Sequence, residues 1–313
     1  MTPERVLKMR AAWAASDAKR DEHFTEPDCV NIVRNITYGF CEPSKEVEPG
    51  EKPYRSYGAD NLLDVYTPKS MQGELLPTIV SIHGGGYFYG DKELYRFYCM
   101  HLAESGFAVV NMNYRLAPEY KYPSSMQDIH SVMKWIERYG SFYGIDRDKV
   151  FLIGDSAGAQ LACEYAIANS NAAYSEAIGL SDKPNVTILG VSLACGMYYV
   201  GEREKLGETA DMVTDYLGAD NPLKETLYSA LDYITDAFPP AMVFSSKDDF
   251  LRESCEPLVA LLKEKGVPAK GHIYGLDEDR MIYHVFHLDL NEPVGQKANR
   301  DQIEFFMGIL EGI

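Results

Sequence analysis

The chain has 313 residues, 46% of them apolar and 25% charged, with 47 Asp and Glu against 30 Lys and Arg for a net charge of −17. This composition excludes disordered, collagen-like and coiled-coil chains, and the acidic field repels phosphate backbones and anionic headgroups, so neither nucleic acid nor a membrane surface is an expected partner. The length suits two domains or one large α/β domain with an attached subdomain.

From Thr2 to Arg20 the apolar residues Val6, Leu7, Met9, Trp13 and Ala14 fall on one stripe, which predicts an amphipathic helix. Charges at Glu4, Arg5, Lys8 and Arg10 deny this segment the apolar core of a signal peptide, and no later apolar run reaches transmembrane length. Six cysteines, at 29, 41, 99, 163, 195 and 255, form no C-x-x-C pair and read as buried free thiols. Together these features predict a cytoplasmic protein. Cys41 to Ser56, with its prolines and charges, reads as a loop. Short β-favouring runs then recur at Leu62–Tyr66, Thr78–His83, Ala108–Asn113, Val150–Gly154, Thr187–Ala194 and Ala241–Ser246, with room between most of them for a crossover helix. This alternation predicts an α/β fold, a largely parallel sheet with helices on both faces. Ser125–Tyr139 is a helix candidate opened by a capping-box-like Ser125 and Asp128, and Ser254–Lys265 is another, ended by Gly266. Gly196 to Pro239 is too long for an ordinary connection and suggests a folded insertion. The expected organisation is therefore 1–50 as the first part of a cap, 51–195 as core, 196–239 as a cap insertion and 240–313 as the rest of the core.

Two glycine-bearing segments carry the chemistry. Gly154-Asp155-Ser156-Ala157-Gly158 follows a β-run and precedes small helix-forming residues. In that context a G-x-S-x-G places a serine on a sharp strand-to-helix turn, its Oγ in the open and its flanking glycines clear of neighbouring backbone. His83-Gly84-Gly85-Gly86-Tyr87 stands at the end of another strand, where consecutive glycines let backbone N–H groups approach a developing oxyanion. A phosphate-cradling role lacks its G-x-G-x-x-G or G-K-[ST] pattern.

These two blocks, with Tyr114-Arg-Leu-Ala-Pro-Glu119 between them, resemble the three signature blocks of the hormone-sensitive-lipase-like family of α/β-hydrolase carboxylesterases, over a span from about Leu62 to the C-terminus. The resemblance implies an eight-stranded α/β-hydrolase sheet, a serine nucleophile at Ser156, no cofactor, and a cap built from the N-terminal segment plus an insertion after the sixth strand. Gly85, Gly86 and Ala157 would supply the oxyanion N–H groups, and Tyr114–Glu119 would brace the glycine loop without a chemical step. The triad runs Ser, acid, His along such chains. After Ala241–Ser246, the family's D-x-L pattern aligns Asp249 as the acid, with Asp248 as its competitor and Glu253 as a solvated charge. Of the histidines, only His272, His284 and His287 follow the acid. His284-Val285-Phe286 resembles the family's H-x-F and makes His284 the expected base; His272 would decorate a strand and His287 is the second choice. The loop from Gly275 to Tyr283 is longer than the family's pattern. His83 is expected to hold the glycine loop, and His23, His101 and His130 to be structural or exposed.

No H-E-x-x-H and no clustered Cys/His set is present, so no metal is expected. The partner is a small-molecule ester, and a homodimer is left open. Tyr87-Phe88-Tyr89 and Tyr198-Tyr199, with Asp155, are expected to crowd the pocket and favour short acyl groups. Amide or formamide hydrolysis and carbohydrate deacetylation use the same machinery; a non-catalytic ligand receptor on this fold is disfavoured by the retained Ser, Asp and His.

Overall fold

Strands buried on both faces have no use for polar alternation, and the central runs of this chain show it: every residue of β4 (Ala108–Met112) and β7 (Ala241–Ser246) is buried, as are all but one of β3 (Leu76–Ile82). In the computed structural model, which describes residues 3–39, 61–202 and 209–312, these strands join β1 (Val30–Thr37), β2 (Leu62–Pro68), β5 (Ile145–Asp155), β6 (Ile188–Ala194) and β8 (Ala269–Tyr274) in one sheet. Its order is β1-β2-β4-β3-β5-β6-β7-β8. β1 and β2 pair antiparallel, as do β2 and β4, and every pairing from β4 to β8 is parallel.

Among the described residues the α-helices are α1 (Pro3–Asp21), α2 (Arg96–Ala103), α3 (Ser124–Tyr139), α4 (Ala157–Ser170), α5 (Ala172–Ala177), α6 (Ala210–Leu217), α7 (Lys224–Tyr228), α8 (Cys255–Glu264) and α9 (Pro293–Glu311). Apolar faces of α3, α4 and α8 join one core cluster, while α2 and α9 cover the opposite face, where Phe306 stacks on Phe151 at 4.4 Å. Among the described residues, no helix is long and apolar enough to cross a membrane.

Three expectations need correction. The N-terminal 50 residues are not all cap: Val30–Thr37 is the edge strand of the sheet, and its exposed positions mix Val33 with Arg34, Asn35 and Thr37, so its sequence shows no clean alternation. Ser125 and Asp128 form no capping box. Asp128 is buried, and its carboxylate takes the Arg115 N–H at 2.7 Å and the Arg115 guanidinium at 2.9 Å instead. Of the cysteines read as buried, Cys29 is exposed; Cys99, Cys163, Cys195 and Cys255 are buried. The loop predicted over Cys41–Ser56 lies outside the described residues.

The segment after the glycine loop is fastened to the sheet by a buried ion pair. Lys92 Nζ lies 2.8 Å from Asp64 Oδ1 of β2, and both side chains are fully buried. Asp64 also accepts from the Asn35 N–H and the Tyr66 hydroxyl, and the Lys92 backbone bonds Asn113 and Asn111. Removing one partner of such a pair strands the other charge in the core. Lys92→Met is therefore expected to cost about 3–5 kcal/mol of unfolding free energy, read as a lower urea midpoint at unchanged slope.

Candidate active site

The carboxyl ends of parallel strands open on one edge of the sheet, and ligand sites gather there. β3 and β5 are neighbours, with Ile82 in register with Gly154, so the loop after one and the turn after the other emerge side by side. Ser156 sits in that turn at φ 52°, ψ −120°, a conformation a side-chain-bearing residue holds only under constraint. The constraint is visible at its flanks. A Cβ on Gly154 would lie 2.3 Å from the Gly158 carbonyl oxygen, and one on Gly158 would lie 2.1 Å from that of Ile82. α4 begins at Ala157, so its N–H belongs to the first turn of a helix, which has no acceptor within the helix.

The glycine loop is equally close-packed. A Cβ on Gly84 would meet Asp155 Oδ2 at 2.4 Å, and Gly85, at φ 111°, would place one 2.1 Å from the Tyr89 carbonyl. Gly86, at φ 60°, faces the Met212 methyl and the Trp13 ring. The Gly85 carbonyl accepts the N–H groups of Phe88 and Tyr89, closing the turn. His83 anchors its base: the ring stacks on Tyr114 at 4.1 Å, Nδ1 lies 2.8 Å from the Gly84 carbonyl, and the His83 carbonyl accepts the Tyr114 hydroxyl. Burial lowers the His83 imidazole to about 4, against the pull of the Gly84 carbonyl, so it stays neutral. The Tyr95 hydroxyl accepts the Gly84 N–H and donates to Asp155, whose carboxyl burial raises to about 6.

After β7, Asp249 Oδ1 lies 2.8 Å from His284 Nδ1, and the same carboxylate accepts the Ser245 hydroxyl at 2.6 Å and the Leu251 N–H at 2.9 Å. Burial raises its carboxyl, but the hydrogen bond and charge of His284, then Ser245 and Leu251, outweigh that and hold it below the usual range. Asp248 points elsewhere, accepting the Ile282 N–H at 2.8 Å. With Ser246, which donates to the carbonyls of Ile282 and Tyr283, and Lys247, which reaches the Glu278 carbonyl, it pins the long loop before His284 onto the end of β7. His287 is 2% exposed among Tyr98, Phe244 and Phe286, and His272 is exposed on β8. Cys195 Sγ lies with Asp249 and His284 in a set of ligand atoms within 4.8 Å of one another. Burial and then the Asp249 charge push its thiol well above the usual range, and a neutral thiol is a hydrogen-bond donor where a metal needs a thiolate.

A cavity of about 760 Å³ joins Ser156, His284, Asp155 and the three glycines 84–86. α1 contributes Met9, Trp13, Asp17 and Arg20 to its wall, and the later segment contributes Met197, Thr209 and Met212. Of the aromatics expected there, only Tyr89 lines it. Tyr87 and Phe88 are core residues, Tyr198 packs over Gly196, and Tyr199 packs half-buried against the core. The turn that exposes the glycines sends the two side chains that follow them inward. Trp13, packed edge to face on Tyr89 at 5.6 Å, and Phe250, 4.6 Å from the His284 ring, take the places assigned to them. The helical stripe that identified α1 also contained Met9 and Trp13, but nothing in it said that the stripe faces a site.

The BD-FAE family model matches residues 63–258. The versiconal hemiacetal acetate esterase of Dothistroma septosporum is 30% identical over 227 residues, 67% of this chain and 67% of that protein. Esterase B of Lactobacillus rhamnosis superimposes with a TM-score of 0.84 at 26% identity, over 99% of this chain and 96% of that one. The same esterase inhibited by a C4-C4 tributyrin phosphonate gives 0.82 at 28% identity, over 100% and 97%.

Burial lowers His287 to about 3, aided by the His284 and Arg20 charges and opposed by Asp249. His83 and His287 thus stay neutral when folded, while unfolded histidines take protons near 6.5. Below pH 6.5 the unfolded state binds more protons at these two positions, so their contribution to stability falls as pH falls, by about 1.4 kcal/mol per pH unit for each such histidine. The buried carboxyls of Asp155 and Glu164, raised to about 6 and about 7, take up protons in the folded state over the same range and act in the opposite sense, so the histidine contribution is read as a difference: between pH 6.5 and 5, His287→Phe is expected to lose less stability than the wild-type chain, by one proton's share of the urea-derived free energy.

Proposed function

The chain belongs to the BD-FAE family of the α/β-hydrolase superfamily and is a hormone-sensitive-lipase-like carboxylic ester hydrolase, and on that premise we propose that it cleaves short-chain acyl esters through a Ser156–His284–Asp249 triad. The observation that carries this reading is the 2.8 Å bond from His284 to an ionised, buried Asp249, with His284 and Ser156 sharing one cavity. Asp249 holds the proton on Nδ1, which leaves Nε2 free to take the Ser156 proton as Oγ attacks the ester carbonyl. The N–H groups of Gly85, Gly86 and Ala157 receive the oxyanion. His284 then passes the proton to the departing alcohol, and water, deprotonated by the same imidazole, releases the acid from the acyl-enzyme. In this reading α1 and the described residues of the segment 196–239 form a cap over the serine.

The acyl preference rests on the cavity wall. Met212 and Trp13 close over Gly86, and Asp17, Arg20 and Asp155 occupy other parts of the lining. Arg20 is committed to Asp17 and Asp21 at 2.8 Å, so this stretch is polar and held in place. A long alkyl chain gains its ~0.8 kcal/mol per methylene only against apolar surface. The acetate ester in the name of the fungal relative and the C4 chains of the esterase B inhibitor agree with a small acyl group.

Ser156→Ala is expected to abolish labelling by a fluorophosphonate and ester turnover while keeping the fold. Asp249→Asn should lower kcat by roughly 10⁴-fold through loss of the tautomer, and Asp248→Asn far less; exchange of the two effects would overturn the assignment of the acid. Across p-nitrophenyl esters of two to twelve carbons, kcat/KM should peak between acetyl and butyryl. A profile still rising beyond eight carbons would refute the short-chain reading.

A further inference from the structure

We propose that Glu164 is a positioning residue for the glycine loop, its buried carboxylate acting through Gln160 and the Tyr87 hydroxyl to hold the turn that carries the Gly85 and Gly86 amides. The proposal rests on the reading of those amides as the oxyanion site.

Tyr87 follows Gly86 and has φ 72°, a backbone state that a bulky residue keeps only where its surroundings enforce it. Three contacts do so. Its ring stacks on Tyr216 of α6 at 4.0 Å and 3°, its carbonyl accepts the Ala117 N–H at 2.9 Å, and its hydroxyl donates to Gln160 Oε1 at 3.1 Å. A carboxamide has one accepting and one donating end, and the Tyr87 hydroxyl can meet either, so the orientation is set at the other end of Gln160. Glu164 fixes that orientation, because Gln160 Nε2 donates to Glu164 Oε2 at 2.9 Å. The other Glu164 oxygen accepts the hydroxyls of Tyr122 at 2.6 Å and Tyr174 at 2.9 Å. All three partners donate, an arrangement that an ionised carboxylate completes with both oxygens and an amide, with a single accepting oxygen, does not.

Glu164 is 1% exposed, and burial pushes its carboxyl up to about 7 against the pull of Tyr122, Gln160 and Tyr174. Putting a carboxylate there is costly, and packing alone would be served better by an apolar residue. The same network touches the wall of the cavity: Tyr122 donates its N–H to the Tyr216 carbonyl at 3.0 Å, and α6 also carries Met212, which lies against Gly86. One acceptor on α4, two turns beyond Ser156, thus aligns the serine helix, the glycine loop and α6.

The test is a double-mutant cycle on the full chain with p-nitrophenyl butyrate at about pH 8.5, where the Glu164 carboxyl, raised to about 7, is ionised. Glu164→Gln keeps one accepting oxygen and turns the other into a donor, so it cannot accept from both Gln160 and the tyrosine pair, and it should lower kcat about 10-fold, less than deletion of an oxyanion donor because the amides are shifted and not removed, with KM within about twofold. Tyr87→Phe should do the same, and the double variant should be no more than about twofold slower than the worse single one, since both act through one chain of bonds. Additive losses, or a Glu164→Gln enzyme with wild-type kcat and only a lower melting temperature, would overturn the proposal. Should Glu164→Gln fail to fold, Gln160→Met paired with Tyr87→Phe forms an equivalent cycle, in which non-additive losses support the proposal and additive losses overturn it. Fluorophosphonate labelling separates this proposal from its premise. Labelling of Ser156 with an uncoupled cycle removes only the role of Glu164, whereas a wild-type chain that does not label at Ser156 removes the oxyanion reading and this proposal with it.

Discussion

Gly158 touches the carbonyls of Ile82 and His83 so closely that a methyl group would sit 2.1 Å from the first and 2.5 Å from the second. Those carbonyls end β3, and Gly158 lies in the first turn of α4, so this contact sets how near the serine turn stands to the glycine loop. Gly154 closes on the Gly158 carbonyl from below, and Ser156 between them has no room for an ordinary backbone conformation. The strain at Ser156 lasts because the sheet pairs β5 on both sides and buries it completely at this end. A close backbone approach, enforced by hydrogen-bonded strands, is the device on which the geometry of the site depends.

Around it, the loops are held by buried polar groups and not by apolar packing alone. Arg10 of α1, 2% exposed, donates to the carbonyls of Phe88 and Ala117 and forks onto Glu119 at 2.9 Å. The N-terminal helix is thereby tied to the glycine loop and to the Tyr114–Glu119 segment in one step. Lys92 fastens the far end of the loop to β2, and Tyr95 links Gly84 to Asp155. Each of these groups would be costly if left unsatisfied, which is what gives such a network only one low-energy arrangement. Apolar side chains of the same volume would fill the space without choosing an orientation.

The acid and the base are positioned by different means. Asp249 is fixed by three donors from its own strand end and from His284, and its ionised form is favoured because all three donate. His284 arrives at the end of a loop longer than expected, and β7 compensates with Ser246, Lys247 and Asp248 bonded to that loop's backbone. Asp248 and Asp249 are neighbours in the chain with opposite tasks: one grips the loop that presents the imidazole, the other grips the imidazole.

What the sequence determined by itself was whatever depends on the chain's immediate neighbours. β7 coincides with Ala241–Ser246, and Gly85, Gly154 and Gly158 stand where a Cβ would meet neighbouring backbone. A run of apolar residues or a G-x-S-x-G constrains local backbone directly, so its meaning survives without knowledge of the fold. Only the tertiary structure decided which side chains face the cavity. Tyr87 and Phe88 turn into the core, while Trp13, Met212 and Phe250, from three distant segments, line the site. β1 and the Arg115–Asp128 pair were hidden for the same reason: an edge strand without clean alternation and a buried ion pair are defined by partners far along the chain. Periodicity tells a residue that it has an inside; which inside it is depends on long-range packing, and there the partner is chosen by shape and charge across the fold.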